Sequence, residues 1–451
     1  MVRPVTNHDL DGLLTEAGYA NSHAAFARQI NHALRDRGEA RYDAASVYWW
    51  LRGRCPEPPI RTTIASVLNR KLRRPVTSDD LGFDDDIRLG LTYPGSPDQA
   101  IDTAAKLWRL VARRRDVLAT APFVTTAAVQ AALAWRYDPT DADLSHTGTR
   151  HVIAADVAAL RLFTAQFTEL DRRHGGGANH TRALIADFLN RQVTPMLHSS
   201  YTDTVGRDLM SAAANIAGQL AYMAYDAGEY GASQRHYTTA LRLSKAGNDH
   251  LYGAHLLANL ATQAVFLGHG RDAVRLARAA IDGAGRAPAT VLARLYTTEA
   301  CAHAIVGDRR TCTQALRKAQ TAIERSQPGD SPAWATYFSP AHFAGTAARC
   351  FRDLRLYPQA LRHGPAALEL AVDSARTRAL HNALLATIHA DHGDLDIACD
   401  YGSQALEHTS SVKSRRVRER LTELTDRLNP HRSVPIVNSF LEQHHDLLTA
   451  A

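Results

Sequence analysis

The sequence predicts an all-α fold in two parts: a small N-terminal helix bundle followed by an α-solenoid of stacked helical hairpins. Two observations carry this. The second half repeats one spacing five times: a small residue, a turn residue seven positions on, and two more small residues five and twelve beyond the turn. The first 82 residues instead break into short apolar-striped segments separated by polar caps and turns.

The five copies read Ala221…Gly228…Ser233…Ala240, Ala261…Gly268…Ala273…Ala280, Ala300…Gly307…Cys312…Ala319, Ala348…Arg355…Ala360…Ala367 and Ala386…Gly393…Ala398…Ala405. Their turn positions lie 40, 39, 48 and 38 residues apart. Small residues allow two antiparallel helices to approach closely, and Gly supplies the positive φ of the turn. This layout, with a period just above 34, is that of tetratricopeptide (TPR)-like helix pairs, which bind through a curved surface. The fourth copy is the weakest, because Arg355 replaces the turn Gly and a turn-rich insertion, Gln327 to Pro332, precedes it.

In the N-terminal 82 residues, His8 to Ala17 carries a helical stripe of Leu10, Leu13, Leu14 and Ala17. Asn21-Ser22 can cap a second helix with Ala24, Ala25, Phe26, Ala27 and Ile30 inward. Asp43 caps a third that buries Val47, Trp50 and Leu51 and stops at Gly53 before a Pro-rich stretch. Ile60 to Leu72 gives a fourth, and Thr77 to Gly82 a short capped turn. Between Arg28 and Arg74 eleven Arg/Lys face four Asp/Glu, the charge balance expected where phosphates are met.

The order Phe26-Ala27-Arg28-Gln29-Ile30 … Ser46-Val47-Tyr48-Trp49-Trp50-Leu51-Arg52-Gly53 resembles the XRE/lambda-repressor type of helix-turn-helix domain. It departs from that family in the roughly ten residues between its second and third helices. With the repeats, the chain resembles actinobacterial XRE-type regulators with a C-terminal TPR-like region, which are similar to repressors of antibiotic production and sporulation. The most specific stretches are Tyr42 to Gly53, Leu170 to Gly177, Met223 to Gly228 and Ser414 to Val417. The architecture is also similar to that of peptide-sensing quorum regulators.

This resemblance implies that residues 1–82 bind double-stranded DNA. The third helix enters the major groove with Ser46, Tyr48, Trp49 and Arg52 outward, Arg52 pairing with guanine, and Arg28, Gln29 and Arg54 meet the backbone. Trp49 faces either the duplex or the fourth helix. A homodimer would present two heads to an inverted repeat. The alternative is a bundle that only caps an interaction protein.

Residues 83–100 read as a Gly/Pro/Asp-rich linker. Residues 101–210 read as irregular helix pairs extending the solenoid, around Ile101 to Leu118, Val152 to Asp171 and Thr181 to Leu197. Residues 211–410 hold the five repeats, and 411–451 hold capping helices. In TPR-like pairs the first helix lines the concave groove. The positions it presents include Asn215, Tyr222, His255, Asn259, Thr262, Arg294, Thr298, His342 and Arg349, a set suited to a peptide or small-molecule effector.

Composition argues against other classes. The chain has 451 residues, 45% hydrophobic and 22% charged, and no apolar run long enough to span a bilayer. The polar start, Met1 to Gly12, is unlike a secretory signal, and five dispersed cysteines suit a reduced, cytoplasmic protein, for which the resemblance to DNA-binding regulators implies association with the nucleoid. His174-Gly175-Gly176-Gly177 matches an esterase oxyanion loop, but no G-x-S-x-G elbow accompanies it. No common phosphate-loop motif occurs. Neither an enzymatic activity, a cofactor nor a metal is expected, and the pairs at His389/His392 and His444/His445 are weak as metal ligands.

Overall fold

A computed structural model describes residues 5, 7–34, 42–52, 54–82, 89–112, 118–327, 329–370, 374–409 and 412–445. The chain divides into two compact units, Met1–Ile87 and Arg88–Ala451. Among the described residues regular structure is helical, with two isolated bridges, His146 to Tyr201 and His151 to Ser200.

The first unit holds α1 (His8–Glu16), α2 (His23–Ala33), α3 (Ala44–Trp50), α4 (Pro58–Leu72) and a 3-10 turn (Asp79–Leu81). Its core is the stripe read from the sequence, including Leu10, Leu14, Phe26, Ile30, Val47, Trp50, Ile64 and Leu68. Asp43 accepts from the Ser46 N–H at 2.8 Å and caps α3. Ser22 stands at the start of α2 but makes no capping bond. Pro58 opens α4 two residues earlier than expected, where a missing N–H costs nothing. Two asparagines fix the chain between helices. Asn31 bonds both the N–H and the C=O of Tyr42, at 2.8 and 2.7 Å, and so clamps the entry to α3 onto α2. Buried Asn7 caps α1 through Leu10 N–H and donates to Leu81 O at 3.0 Å. Gly53, the expected stop of α3, lies outside the described residues, as do residues 83–88.

The second unit begins with α5 (Pro97–Ala112), α6 (Thr125–Tyr137), α7 (Ala154–His174) and α8 (Asn179–Phe188). A π-turn at 189–193 joins α8 to α9 (Thr194–Leu197). Five hairpins follow: α10 (Asp203–Asp226) with α11 (Tyr230–Ala246), α12 (His250–Phe266) with α13 (Gly270–Ala284), α14 (Ala289–Ile305) with α15 (Arg309–Glu324), α16 (Pro340–Asp353) with α17 (Tyr357–Arg362) and α18 (Gly364–Leu368), and α19 (Ala375–His392) with α20 (Leu395–Glu407). The chain closes with α21 (Arg415–Leu428) and α22 (Pro435–Gln443). The spacing rule holds atom by atom. All fifteen small positions are buried, and Gly228, Gly268, Gly307, Arg355 and Gly393 all adopt positive φ. The second helix of the fourth hairpin is broken at His363-Gly364-Pro365, where Pro removes a helical donor.

Two parts differ from the sequence expectation. Of the expected linker 83–100, the described residues from 89 onward pack in the second unit. Gly90 lies against Leu107 and Arg235, Pro94 O accepts from Arg242 Nε at 3.1 Å, and Ala100 is buried. The expected simple extension of the solenoid is also replaced: α5 and α6 fold back onto α11, while α7 packs on α10. The helix α6 was not anticipated, because its buried face is Ala128, Ala131 and Ala132 with Trp135, too small to read as a stripe.

That fold-back buries α11 from Gly231 to Ala246, polar residues included, and three of these are paired with the segments that cover them. Gln234 bonds both backbone groups of Val124 at 2.7 Å. Arg242 forks onto Asp141 at 2.6 and 2.8 Å. Lys245 Nζ donates to the carbonyls of Ala134, Trp135 and Asp138, the open C-terminal end of α6. Trp135 lies against Gly253 and Gly283, where a Cβ would stand 2.4 and 2.1 Å from its ring atoms.

Candidate functional site

In the first unit, α2 and α3 place most of the expected DNA-contacting side chains outward. Arg28, Gln29 and Arg54 are exposed, and Trp49 is 39% exposed while its neighbour Trp50 is buried. Trp49 meets Tyr48 edge-on at 5.4 Å. The Arg52 guanidinium lies 3.4 Å from the centre of the Tyr48 ring and donates to Tyr48 O at 3.1 Å. This makes a cation-aromatic surface of Tyr48, Trp49 and Arg52. Ser46, expected at a base edge or a phosphate, is engaged within its own helix turn. Its hydroxyl donates to Asp43 Oδ1 at 2.8 Å and accepts from Asp43 N–H, completing the cap of its own helix.

In the second unit, the expected effector positions do not form an open groove. Arg294 is the hub of one group. It bonds Tyr337 Oη at 3.0 Å, Asn259 Oδ1 at 3.2 Å, Thr262 Oγ1 at 3.3 Å and Thr298 Oγ1. The ring of His255 packs 4.7 Å from Trp334, and its Nε2 meets Asn259 Nδ2 at 3.1 Å. His342 meets Ser339 Oγ at 3.0 Å and the Tyr337 ring edge-on. Trp334, Tyr337 and Ser339 come from the segment between the Gln327–Pro332 insertion and the fourth hairpin, which folds over these positions. Burial, then the Arg294 charge, pushes His255 down to about 3. Burial, His381 and Arg294 push His342 down to about 4. Both stay neutral near pH 7. Asn215 turns back to Ser211 O of its own helix at 2.8 Å.

The other part is covered by α21. Its Glu423 pairs with Arg352 of α16, and Arg427 donates to Asp391 of α19 at 2.7 Å. Glu419 accepts from Tyr230 Oη at 2.8 Å. The Arg420 guanidinium stands 4.9 Å from the Phe266 ring centre, and Arg416 lies over Tyr225 at 4.5 Å. The expected residues Tyr222 and Arg349 belong here. Tyr222 sits beneath Arg376 at 5.1 Å, and Arg349 faces Asp353 at 3.8 Å.

At the foot of α21 a buried ionic centre joins both ends of the array. Arg376, at the start of α19, holds Asp171 through two bonds of 2.9 and 3.0 Å and Asp226 through one of 3.0 Å. Asp226 also accepts from Ser414 Oγ at 2.7 Å and Gly176 N–H at 2.9 Å, and faces Arg416 at 3.5 Å. Burial alone would raise the Asp226 carboxyl. Arg376 and Arg416, with Ser414 and Gly176, outweigh it and hold the carboxyl below its ordinary value. Sequence reasoning assigned no role to Asp171, Asp226, Arg376 or Ser414. The signal was present for three of them, since Leu170 to Gly177, Met223 to Gly228 and Ser414 to Val417 stand out in sequence and meet here. The histidines His389 and His392 both hydrogen-bond Asp394 at the end of α19, at 3.1 and 2.9 Å.

Among the described residues no helix is long and apolar enough to cross a membrane. A family model described as the SP15 N-terminal domain matches residues 10–84. No curated protein matches the chain. Among solved structures, the crystal structure of the APC/C hetero-tetramer Cut9-Hcn1 is similar, with 14% sequence identity and a TM-score of 0.32. That similarity covers 93% of this chain and 66% of the other, so the chain spans slightly under two thirds of that neighbour's length.

Proposed function

We propose that the protein acts by binding, and that its repeat unit is a receptor for an amphipathic helix of a partner protein. The observation that supports this reading is the seating of α21. An amphipathic helix already lies across α11, α16 and α19, held by ion pairs of Glu423 and Arg427 and by the hydrogen bond of Glu419 to Tyr230. Helix-in-groove recognition uses such anchors at helical spacing. In the unliganded chain α21 occupies the place of the partner. The test uses the full chain carrying Glu423→Lys, which turns the pairs with Arg352, Arg420 and Arg427 into repulsions. A fluorescent peptide of residues 413–430 should bind this variant about tenfold more tightly than the natural chain. Equal exclusion by two equally helical proteins refutes the receptor reading.

A second reading, favoured by the outward Tyr48–Trp49–Arg52 surface beside Arg28, Gln29 and Arg54, makes the first unit a reader of double-stranded DNA. The protein is then a homodimeric transcriptional regulator whose DNA affinity answers to what the repeats hold. Duplex binding with a steep salt dependence, lost in Arg52→Ala/Arg54→Ala, supports it. Equal duplex binding by variant and natural chain removes it.

A further inference from the structure

A cavity of about 570 Å³ opens beside the ionic centre, at the point where the chain enters α21. Its walls come from the glycine turn after α7 with the start of α8, the turn between α10 and α11, and residues 412–421. The turn glycines are required by this wall. A Cβ on Gly175 or Gly177 would stand 2.6 Å from Lys413 O, so any side chain there would push the 412–414 segment away.

The electrostatics of this space are one-sided. Arg182, Lys413, Arg415 and Arg418 line it, against the single lining carboxylate Glu229. Arg182 binds Glu229 at 2.6 Å, and Arg415 binds Glu419 at 3.1 Å. Lys413 and Arg418 have no ion-pair partner among the described residues and are exposed.

Two helices also begin here. The start of α8, after Ala178, has no side-chain cap. The start of α21 carries Arg415, Arg416 and Arg418 in its first turn. Cations at the positive end of a helix dipole are the wrong sign for the helix alone and the right sign for an anion placed between them. A further, independent sign is Arg182 itself. Its side chain is only 9% exposed; its terminal nitrogens bond Glu229 and Asn179 Oδ1, and its Nε is buried without a hydrogen-bond partner.

We propose that this cavity binds a phosphate-bearing small molecule of nucleotide size. The phosphate sits between the start of α8 and the Lys413/Arg418 pair, where donors converge on one tetrahedral group from separate elements. The apolar remainder of the lining, Leu406, Val417 and Leu421, receives the rest of the molecule. The volume falls in the usual range of small-molecule sites. Because the ligand touches both the turn after α7 and the entry to α21, its binding fastens α21 to the first hairpin. This site stands apart from both readings above, since it needs neither a partner helix nor DNA.

The test is calorimetric titration of the full chain with inorganic pyrophosphate and with ATP. The variants are Lys413→Gln/Arg418→Gln, at exposed positions, and Arg28→Gln/Arg54→Gln as a control in the other unit. The natural chain and the control should bind both probes with a Kd below about 1 mM, ATP at least as tightly as pyrophosphate. The Lys413/Arg418 variant should bind at least about tenfold more weakly with unchanged helix content. Absence of binding by the natural chain overturns the proposal. So does undiminished binding by the Lys413/Arg418 variant, or loss of binding in the control.

Discussion

Replacing Arg376 by Met isolates the centre that ties the last hairpin to the first. The guanidinium makes two bonds to Asp171 and one to Asp226, and both carboxylates are almost fully buried. Met keeps most of the side-chain volume and removes the charge. Asp171 then loses its bidentate partner, while Asp226 keeps Ser414, Gly176 and the more distant Arg416. Breaking a buried pair by removing one partner costs about 3–5 kcal/mol, mostly from the charge left behind. The sign with pH follows from the depressed Asp226 carboxyl. Its contribution is present above the unfolded carboxylate value, near 3.9, and is lost as pH falls through the lower folded value. In the variant fewer charges oppose the burial that raises the Asp226 carboxyl, so Asp226 takes up its proton earlier on acidification. The deficit is therefore largest at pH 7 and shrinks as the pH approaches 4. Urea unfolding of both proteins at pH 7 and pH 5, with hydrogen exchange across 412–428 as a local probe, measures both quantities. A deficit below about 1 kcal/mol at pH 7, or one that grows on acidification, refutes the reasoning.

Two further outcomes are expected. Buried His236 and half-buried His255, each pushed down to about 3, and His342, pushed down to about 4, bind protons more readily when unfolded. Stability is therefore full above about pH 6.5 and falls by up to about 1.4 kcal/mol per histidine for each pH unit below it. Urea midpoints from pH 7.5 to 5 test this, and His255→Gln should flatten the profile. Arg355 holds φ at +58° where the other four turn positions have Gly, so Arg355→Gly should stabilise by up to about 1 kcal/mol. A lower unfolding midpoint would contradict that account of the turn.

Much of this architecture is legible in the residues alone. Ala221, Ser233 and Ala240, with their counterparts, declare the hairpins because close helix approach tolerates only small side chains. Trp50, Ile30 and Ile64 declare the first bundle by simple periodicity. The helix α6 stayed hidden because alanine carries too little hydrophobic contrast to mark a face, and its one large anchor, Trp135, finds its place only against Gly253 and Gly283. Nothing in the sequence reading placed the polar residues of α11 in the core. They are buried because Lys245, Arg242 and Gln234 take up backbone groups and a carboxylate of segments about a hundred residues earlier.

By itself the sequence determined the local geometry of the repeats: where their turns fall, which positions are small, and that five hairpins stack in order. Those features depend on contacts within a few residues or between adjacent repeats, so spacing encodes them. What only the tertiary structure decided is what the inner surface meets. The groove residues Arg294, His255 and Tyr222 are engaged by Trp334 and Tyr337, which follow the insertion, and by Arg376 and Arg416, residues far away along the chain. Which carboxylate finds which arginine across such separations depends on how the array curves. That curvature is the sum of small packing rotations, which no single stretch of sequence carries.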